Sequence, residues 1–158
     1  MKTAVVFYSY DGNCKYTARQ IGSLLKADLV QVEPVKEKRR PKFAMFFSGG
    51  IQVVFNKKPA LKPYAFDASQ YDLLILGTPV WAGSPAPAIK IFLSQTKISG
   101  KKIALFVCHA GGPGKAMDKL KAELKDNTIV SEIDLHTPAL NAEKAMQQIE
   151  EWVKTLTP

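Results

Sequence analysis

The sequence predicts an α/β fold in three layers, a five-stranded parallel sheet of order 2-1-3-4-5 with helices on both faces. Three observations carry the prediction. Strand-length and helix-period segments alternate along the chain, three of the strand segments are unbroken apolar runs, and two others alternate apolar with polar residues. Strands that take turns with helices build parallel sheets through right-handed crossovers. Runs that are apolar on both faces belong at the centre of such a sheet, and alternating ones at its edges. With strands one, three and four central and two and five at the edges, the doubly wound order 2-1-3-4-5 fits.

Each element follows from its own pattern. Thr3 to Tyr8 is the first buried strand, and its apolar run is too short for a secretion signal. Thr17, Ala18, Ile21, Leu24 and Leu25 make the apolar stripe of the first helix. Leu29 to Glu33 alternates and reads as an edge strand. Glu33 to Ser69 is longer than a connection needs and surrounds the second helix. Phe43 to Asn56 is its apolar part, short or kinked because Ser48-Gly49-Gly50 interrupts it. Leu73 to Gly77 is the third strand, and Pro85 to Gln95 carries Ala88, Ile89, Phe92 and Leu93 on one helical face. Ile103 to Cys108 is the fourth strand, followed by the stripe Met117, Leu120 and Leu124. Ile129 to Leu135 is the other edge strand, with Ile129, Ser131, Ile133 and Leu135 on one face and Glu132 and Asp134 on the other. The last helix aligns Ala142, Ala145, Met146, Ile149, Trp152, Val153 and Leu156.

A chain of 158 residues, 46% apolar and 23% charged, is expected to form one domain over 1–158, with an extended basic connection at about 34–66. Cys14 and Cys108 lie in no CxxC or Cys/His cluster, so neither a disulfide framework nor a metal site is expected, and a reducing cytoplasm fits. No stretch approaches the length of a membrane span. The net charge of +8 is uneven: from Glu33 to Lys62 eight basic residues face two acidic ones. Such a patch suits an acidic partner, a phosphorylated ligand or an anionic surface. Its run Lys36 to Lys42 lacks interleaved aromatics and any recognised motif, which argues against nucleic acid.

In an open parallel sheet the loops leaving the carboxyl ends of central strands converge on one crevice. The first such loop, Ser9-Tyr10-Asp11-Gly12-Asn13-Cys14, runs from strand into helix, where a glycine turn and unpaired amides suit a phosphate. The second, Gly77 to Ile89, holds Thr78, Pro79, Val80, Trp81, Ala82 and Gly83. Its prolines stiffen it, and Trp81 stands outside any helical stripe, free to stack on a planar ring. The third, Cys108-His109-Ala110-Gly111-Gly112-Pro113-Gly114-Lys115, exposes amides that suit a polar ring edge, and its spacing is not that of a Walker A loop. His109 has no carboxylate or serine partner in its motif and reads as a polar loop residue within ligand reach. His136 ends the last strand with no evident chemistry, and no catalytic side chain is assigned.

Together these residues resemble the flavodoxin family across nearly the whole chain. Tyr8-Ser-Tyr-Asp-Gly-Asn13 looks like the family's phosphate loop and Thr78-Pro-Val-Trp-Ala-Gly-Ser-Pro-Ala-Pro87 like its flavin-flanking loop. The resemblance implies a flavodoxin-like sandwich binding FMN, with the phosphate on Ser9 through Cys14, the isoalloxazine beside Thr78 through Gly83, and His109 through Gly112 on the ring's opposite side. It implies one-electron transfer between redox partner proteins, for which an acidic partner would match the basic segment. The alternatives are an FMN-dependent NAD(P)H oxidoreductase acting on a small quinone-like or tetrapyrrole substrate, and a flavin-free interaction module on the same fold. Two features depart from the family: Asp11 and Cys14 stand where hydroxyl residues are usual, and the chain is basic where electron carriers are commonly acidic. A carboxylate about 5 Å from a phosphate charge costs roughly 3 kcal/mol at an effective dielectric of 20.

Overall fold

The computed structural model describes residues 1–37 and 58–157. Five parallel strands form its sheet: β1 (Thr3–Phe7), β2 (Asp28–Gln31), β3 (Leu73–Trp81), β5 (Lys102–His109) and β6 (Thr128–His136). Their spatial order is β2-β1-β3-β5-β6, with the two-residue β4 (Ser84–Pro85) paired antiparallel to β3 alone. Leaving β4 aside, this is the expected 2-1-3-4-5. The apolar runs occupy its centre and the alternating segments its edges, as burial on two faces and on one demands.

Among the described residues four α-helices cover the two faces: α1 (Asn13–Leu25), α2 (Pro87–Gln95), α3 (Ala116–Glu123) and α4 (Ala142–Lys154). Ala4, Val6, Leu74, Leu76, Leu105 and Val107 pack on one side with Ile89 and Phe92 of α2 and Leu120 of α3. Val5, Phe7, Ile75, Ala104 and Phe106 pack on the other with Ala18 and Ile21 of α1 and Ile149, Trp152 and Val153 of α4. The alternation of side chains along each strand thus feeds two cores. Trp152 sits in the second and donates its indole N–H to Ser131 Oγ at 2.9 Å.

Three sequence expectations change in detail. Leu24 is 41% exposed, because the buried stripe of α1 runs through Cys14, Thr17, Ala18 and Ile21. The outer strand does not keep one face throughout. Its pairing with β5 shifts between Ile103 and Ala104, so Ile129 packs into the α2–α3 core while Ile133 and Leu135 join the α1–α4 core. A bulge of one residue flips every side chain beyond it. Finally, β3 continues four residues past Gly77. Pro79 is tolerated there because β1 pairs with β3 only as far as Gly77, so the missing N–H falls on the side that β1 has left.

The long connection leaves and rejoins the described fold at a narrow neck. Val35 N–H donates to the Ala60 carbonyl and Lys62 N–H to the Glu33 carbonyl, both at 2.8 Å, around a bridge between Pro34 and Leu61. The helix expected in Phe43 to Asn56 lies outside the described residues, as does most of the basic run. No helix among the described residues is long and apolar enough to cross a membrane.

Candidate functional site

Loop 1 joins β1 to α1 through a left-handed glycine, Gly12 at φ 96°, and a Cβ built there would meet nothing within 4 Å. A side chain at this turn would therefore point into open space. Two of these have partners within the loop: Lys15 N–H donates to Ser9 Oγ and Asn13 N–H to Asp11 Oδ1, each at 3.1 Å. Asp11 also accepts from Asn13 Nδ2 at 2.9 Å. Its carboxylate thus closes an Asx turn ahead of the helix and takes an amide that an anionic ligand would otherwise use.

Cys14 turns the other way. Its thiol is fully buried, and burial, followed by its hydrogen bond with Cys108, pushes it well above the ordinary range. Cys108 Sγ also lies 3.6 Å from Thr17 Oγ1. Both thiols are buried in the α1–α4 core, so the backbone of Cys14 and not its sulfur belongs to the loop.

Loop 2 is a tight hairpin. Ala82 and Gly83 take positive φ values of 47° and 68° between the paired Trp81 and Ser84, the requirement of a two-residue turn matched to strand twist. Thr78 is fully buried. Its hydroxyl accepts from Ala86 N–H at 2.9 Å and donates to the Pro79 carbonyl at 3.0 Å, which ties the hairpin's base to the start of α2. Pro79 is buried, Val80 packs on the α2–α3 core, and Trp81, Ala82 and Gly83 reach the surface. Trp81 meets loop 1 through two edge contacts, to Tyr8 at 5.7 Å and to Tyr10 at 5.6 Å between ring centroids. Tyr8 is buried and donates its hydroxyl to the carboxylate of Glu37 at the neck. Burial, with Glu37 beside it, raises the phenol far above its usual range, so it acts as a fixed neutral donor.

Loop 3 meets loop 2 backbone to backbone. Lys115 N–H donates to the Gly83 carbonyl at 3.1 Å, and Lys119 Nζ donates to Ser84 Oγ. Gly111 and Gly112 face open space, like Gly12. His109 is not isolated: its Nε2 lies 3.0 Å from Asp134 Oδ2, and its Nδ1 accepts from Gly112 N–H at 3.0 Å. The structure therefore brings Ser9 to Asn13, Trp81 to Gly83 and His109 to Gly112 to one end of the sheet, while the side chains of Cys14, Thr78 and Pro79 turn inward. Sequence reasoning missed Tyr8's link to Glu37 and the support given by Asp134 and His136. A signal for the latter was present: Asp134 and His136 stand two residues apart at the carboxyl end of the last strand, level with the three loops.

The residues present suit a ligand with an anionic end and a flat ring. Open glycines line loops 1 and 3, a partly exposed tryptophan on loop 2 stands against loop 1, and the start of α1 supplies positive potential. Within loop 1, the Asp11 carboxylate opposes the anion.

Comparison with known proteins reaches the same place. The family model described as Flavodoxin matches residues 2–156. The flavoprotein of Lactobacillus acidophilus NCFM, solved in complex with FMN, is 24% identical with a TM-score of 0.71, over 96% of this chain and 97% of that one. The apo-form of the flavoprotein from the same organism is 25% identical with a TM-score of 0.61, over 87% and 94%. Two-electron reduced Megasphaera elsdenii flavodoxin is 20% identical with a TM-score of 0.60, over 96% and 98%. No curated protein matches.

Proposed function

The chain belongs to the flavodoxin family, and from that premise we propose that it binds FMN and passes electrons between redox partner proteins. The observation that carries the reading is the meeting of three loops at the carboxyl end of the sheet, which present open backbone at Gly12, Gly111 and Gly112 and a partly exposed Trp81. Ser9 to Asn13 would receive the phosphate, Trp81 would stack on the isoalloxazine, and Ala110 and Gly111 would face its polar edge. When bound, FMN supplies the electron chemistry, so no side chain has to serve as acid or base. The protein's own work is to orient, to keep water from the ring and to set its electrostatics.

Titrating the apoprotein with FMN, read by flavin absorbance and fluorescence quenching, tests the reading. Saturable one-to-one quenching supports it. An unchanged free-flavin spectrum refutes it and favours an interaction module on the same fold. Adding NADH or NADPH to the holoprotein then separates carrier from enzyme: a carrier keeps its oxidised spectrum, and direct bleaching would assign an oxidoreductase for a quinone-like or tetrapyrrole acceptor.

Two variants probe the ends of the site. Trp81→Ala should weaken FMN by about 5- to 150-fold, the equivalent of roughly 1–3 kcal/mol of lost stacking, and reduce quenching. Unaltered affinity and quenching would remove Trp81 from the ring site. Asp11→Thr should act in the opposite sense. Threonine still caps the Asn13 amide but carries no charge, so FMN should bind about tenfold tighter at low salt, with a smaller gain at high salt. Equal or weaker binding by the variant would show that the Asp11 carboxylate turns away from the phosphate.

A further inference from the structure

Loop 3 is held from behind by two imidazoles, one on β5 and one on β6, with ring centroids 5.7 Å apart. His109's side chain is 9% exposed. Because Gly112 N–H donates to its Nδ1 at 3.0 Å, that nitrogen carries no proton, and Nε2 carries the one donated to Asp134. His136 is set the same way round. Its Nε2 lies 3.0 Å from the Ala110 carbonyl, which only accepts, so Nε2 carries a proton, and Nδ1 shares a hydrogen bond of 3.2 Å with the Thr137 hydroxyl. Thr137 Oγ1 in turn accepts from Asn141 Nδ2 at 2.8 Å.

The two chains of hydrogen bonds end on the backbone of loop 3, one at the Ala110 carbonyl and one at the Gly112 amide, on either side of the open Gly111. The stretch of chain that supplies them also carries loop 1. Ala139 N–H donates to Asn13 Oδ1 at 3.0 Å, and the Tyr16 hydroxyl donates to the Ala142 carbonyl at 3.2 Å. One segment, from the end of β6 to the start of α4, thus grips two of the three loops and touches neither open surface.

We infer that Asp134, His136, Thr137 and Asn141 are positioning residues of the ligand site. Through His109 and directly, they set the Ala110–Gly111 peptide in its ligand-facing shape before any ligand arrives, while the Ala139 amide of the same segment holds the phosphate turn in register with it through Asn13. Preset backbone binds without the cost of ordering, which is why loss of such support lowers affinity without removing a ligand contact. The identity of the ligand rests on the FMN reading above; the preset geometry of loop 3 does not.

The first test uses the apoprotein labelled with 15N. Nε2 should carry a proton in both imidazoles and Nδ1 of His109 should be bare, and the Gly112 amide should exchange slowly with solvent. Asp134→Ala should speed that exchange and weaken FMN binding, each by roughly tenfold, the scale of one charge-assisted hydrogen bond. Asp134→Asn keeps an oxygen opposite Nε2–H and should restore both. A proton on Nδ1 of His109, or indifference of Gly112 exchange and FMN affinity to Asp134→Ala, overturns the inference. Should the wild-type chain bind no FMN while the apoprotein signatures and their loss in Asp134→Ala appear, the FMN reading fails and the positioning network stands.

Discussion

Gly77→Ala should cost about 3 kcal/mol or more, and lower Tm by roughly 6–12 °C for a chain of this size. Gly77 lies on β3 at the middle of the sheet, paired with Phe7 on one side and Phe106 on the other. A Cβ at this position would stand 1.9 Å from Phe106 Cζ and within 2.5 Å of both Cε atoms. The ring cannot swing clear, because Phe106 is fully buried in the α1–α4 core among Phe7, Ile75 and Ile149. The backbone has no freedom either, since β3 is hydrogen-bonded to a neighbour on each edge there. Glycine at this position is therefore required by a side chain of the next strand and not by its own φ. Removing the ring tests the cause: Phe106→Ala alone leaves a cavity worth about 3–5 kcal/mol, yet the double variant should lose clearly less than the sum of the two. Denaturation of the four proteins gives the coupling. A Gly77→Ala change below about 0.5 kcal/mol, or strict additivity, would show that the Phe106 ring yields freely.

The sheet was legible in the sequence because its centre and edges differ in a quantity that sequence records directly. Strands buried on both faces must be apolar along their length, as Ala4 to Phe7 and Ile103 to Cys108 are, and an edge strand needs only every second position. What the pattern could not carry were events of one residue. The shift beside Ile103 changes which core receives Ile129, and no composition signal marks it. The run-on of β3 through Pro79 was hidden because proline argues against a central strand, and the exception depends on β1 stopping at Phe7, a fact of another segment.

The candidate site divides along the same line. The three loops were visible because glycine, proline and an unsupported tryptophan are local signals. Their mutual arrangement was not, since it is built from contacts far apart in the chain, such as Gly83 with Gly114 and Asn13 with Ala139. His109 read as an unpartnered loop residue because its carboxylate is 25 positions away on another strand. The same distance explains Tyr8, whose acceptor Glu37 belongs to the neck of the long connection. A motif names the side chains that face a ligand; the side chains that hold those in place are scattered.

Gly114→Ala should damage the site more than the fold. Gly114 has φ 52°, and a Cβ there would lie 2.5 Å from Gly83 Cα and 3.4 Å from its carbonyl carbon. Backbone cannot yield as a flexible side chain does, so the variant must push the loop 2 hairpin off loop 3, breaking the bond from Lys115 N–H to the Gly83 carbonyl at 3.1 Å. Trp81 sits one turn residue away from that contact and would move with it. The expected result is a loss of FMN affinity of at least about tenfold, while Tm falls by only about 4–8 °C, the share of roughly 2 kcal/mol. Two other glycines separate strain from collision. Gly100 has φ 67° and open space at its Cβ, and Gly83 has φ 68° and meets Lys115 N no closer than 3.7 Å. Gly100→Ala should therefore show the strain alone, with a similar or smaller fall in Tm and unchanged FMN binding. Gly83→Ala should fall between the two in affinity. If Gly100→Ala and Gly114→Ala proved alike in FMN titration, left-handed strain and not the Gly83 contact would be the cause, and loops 2 and 3 would have to be regarded as independent walls of the site.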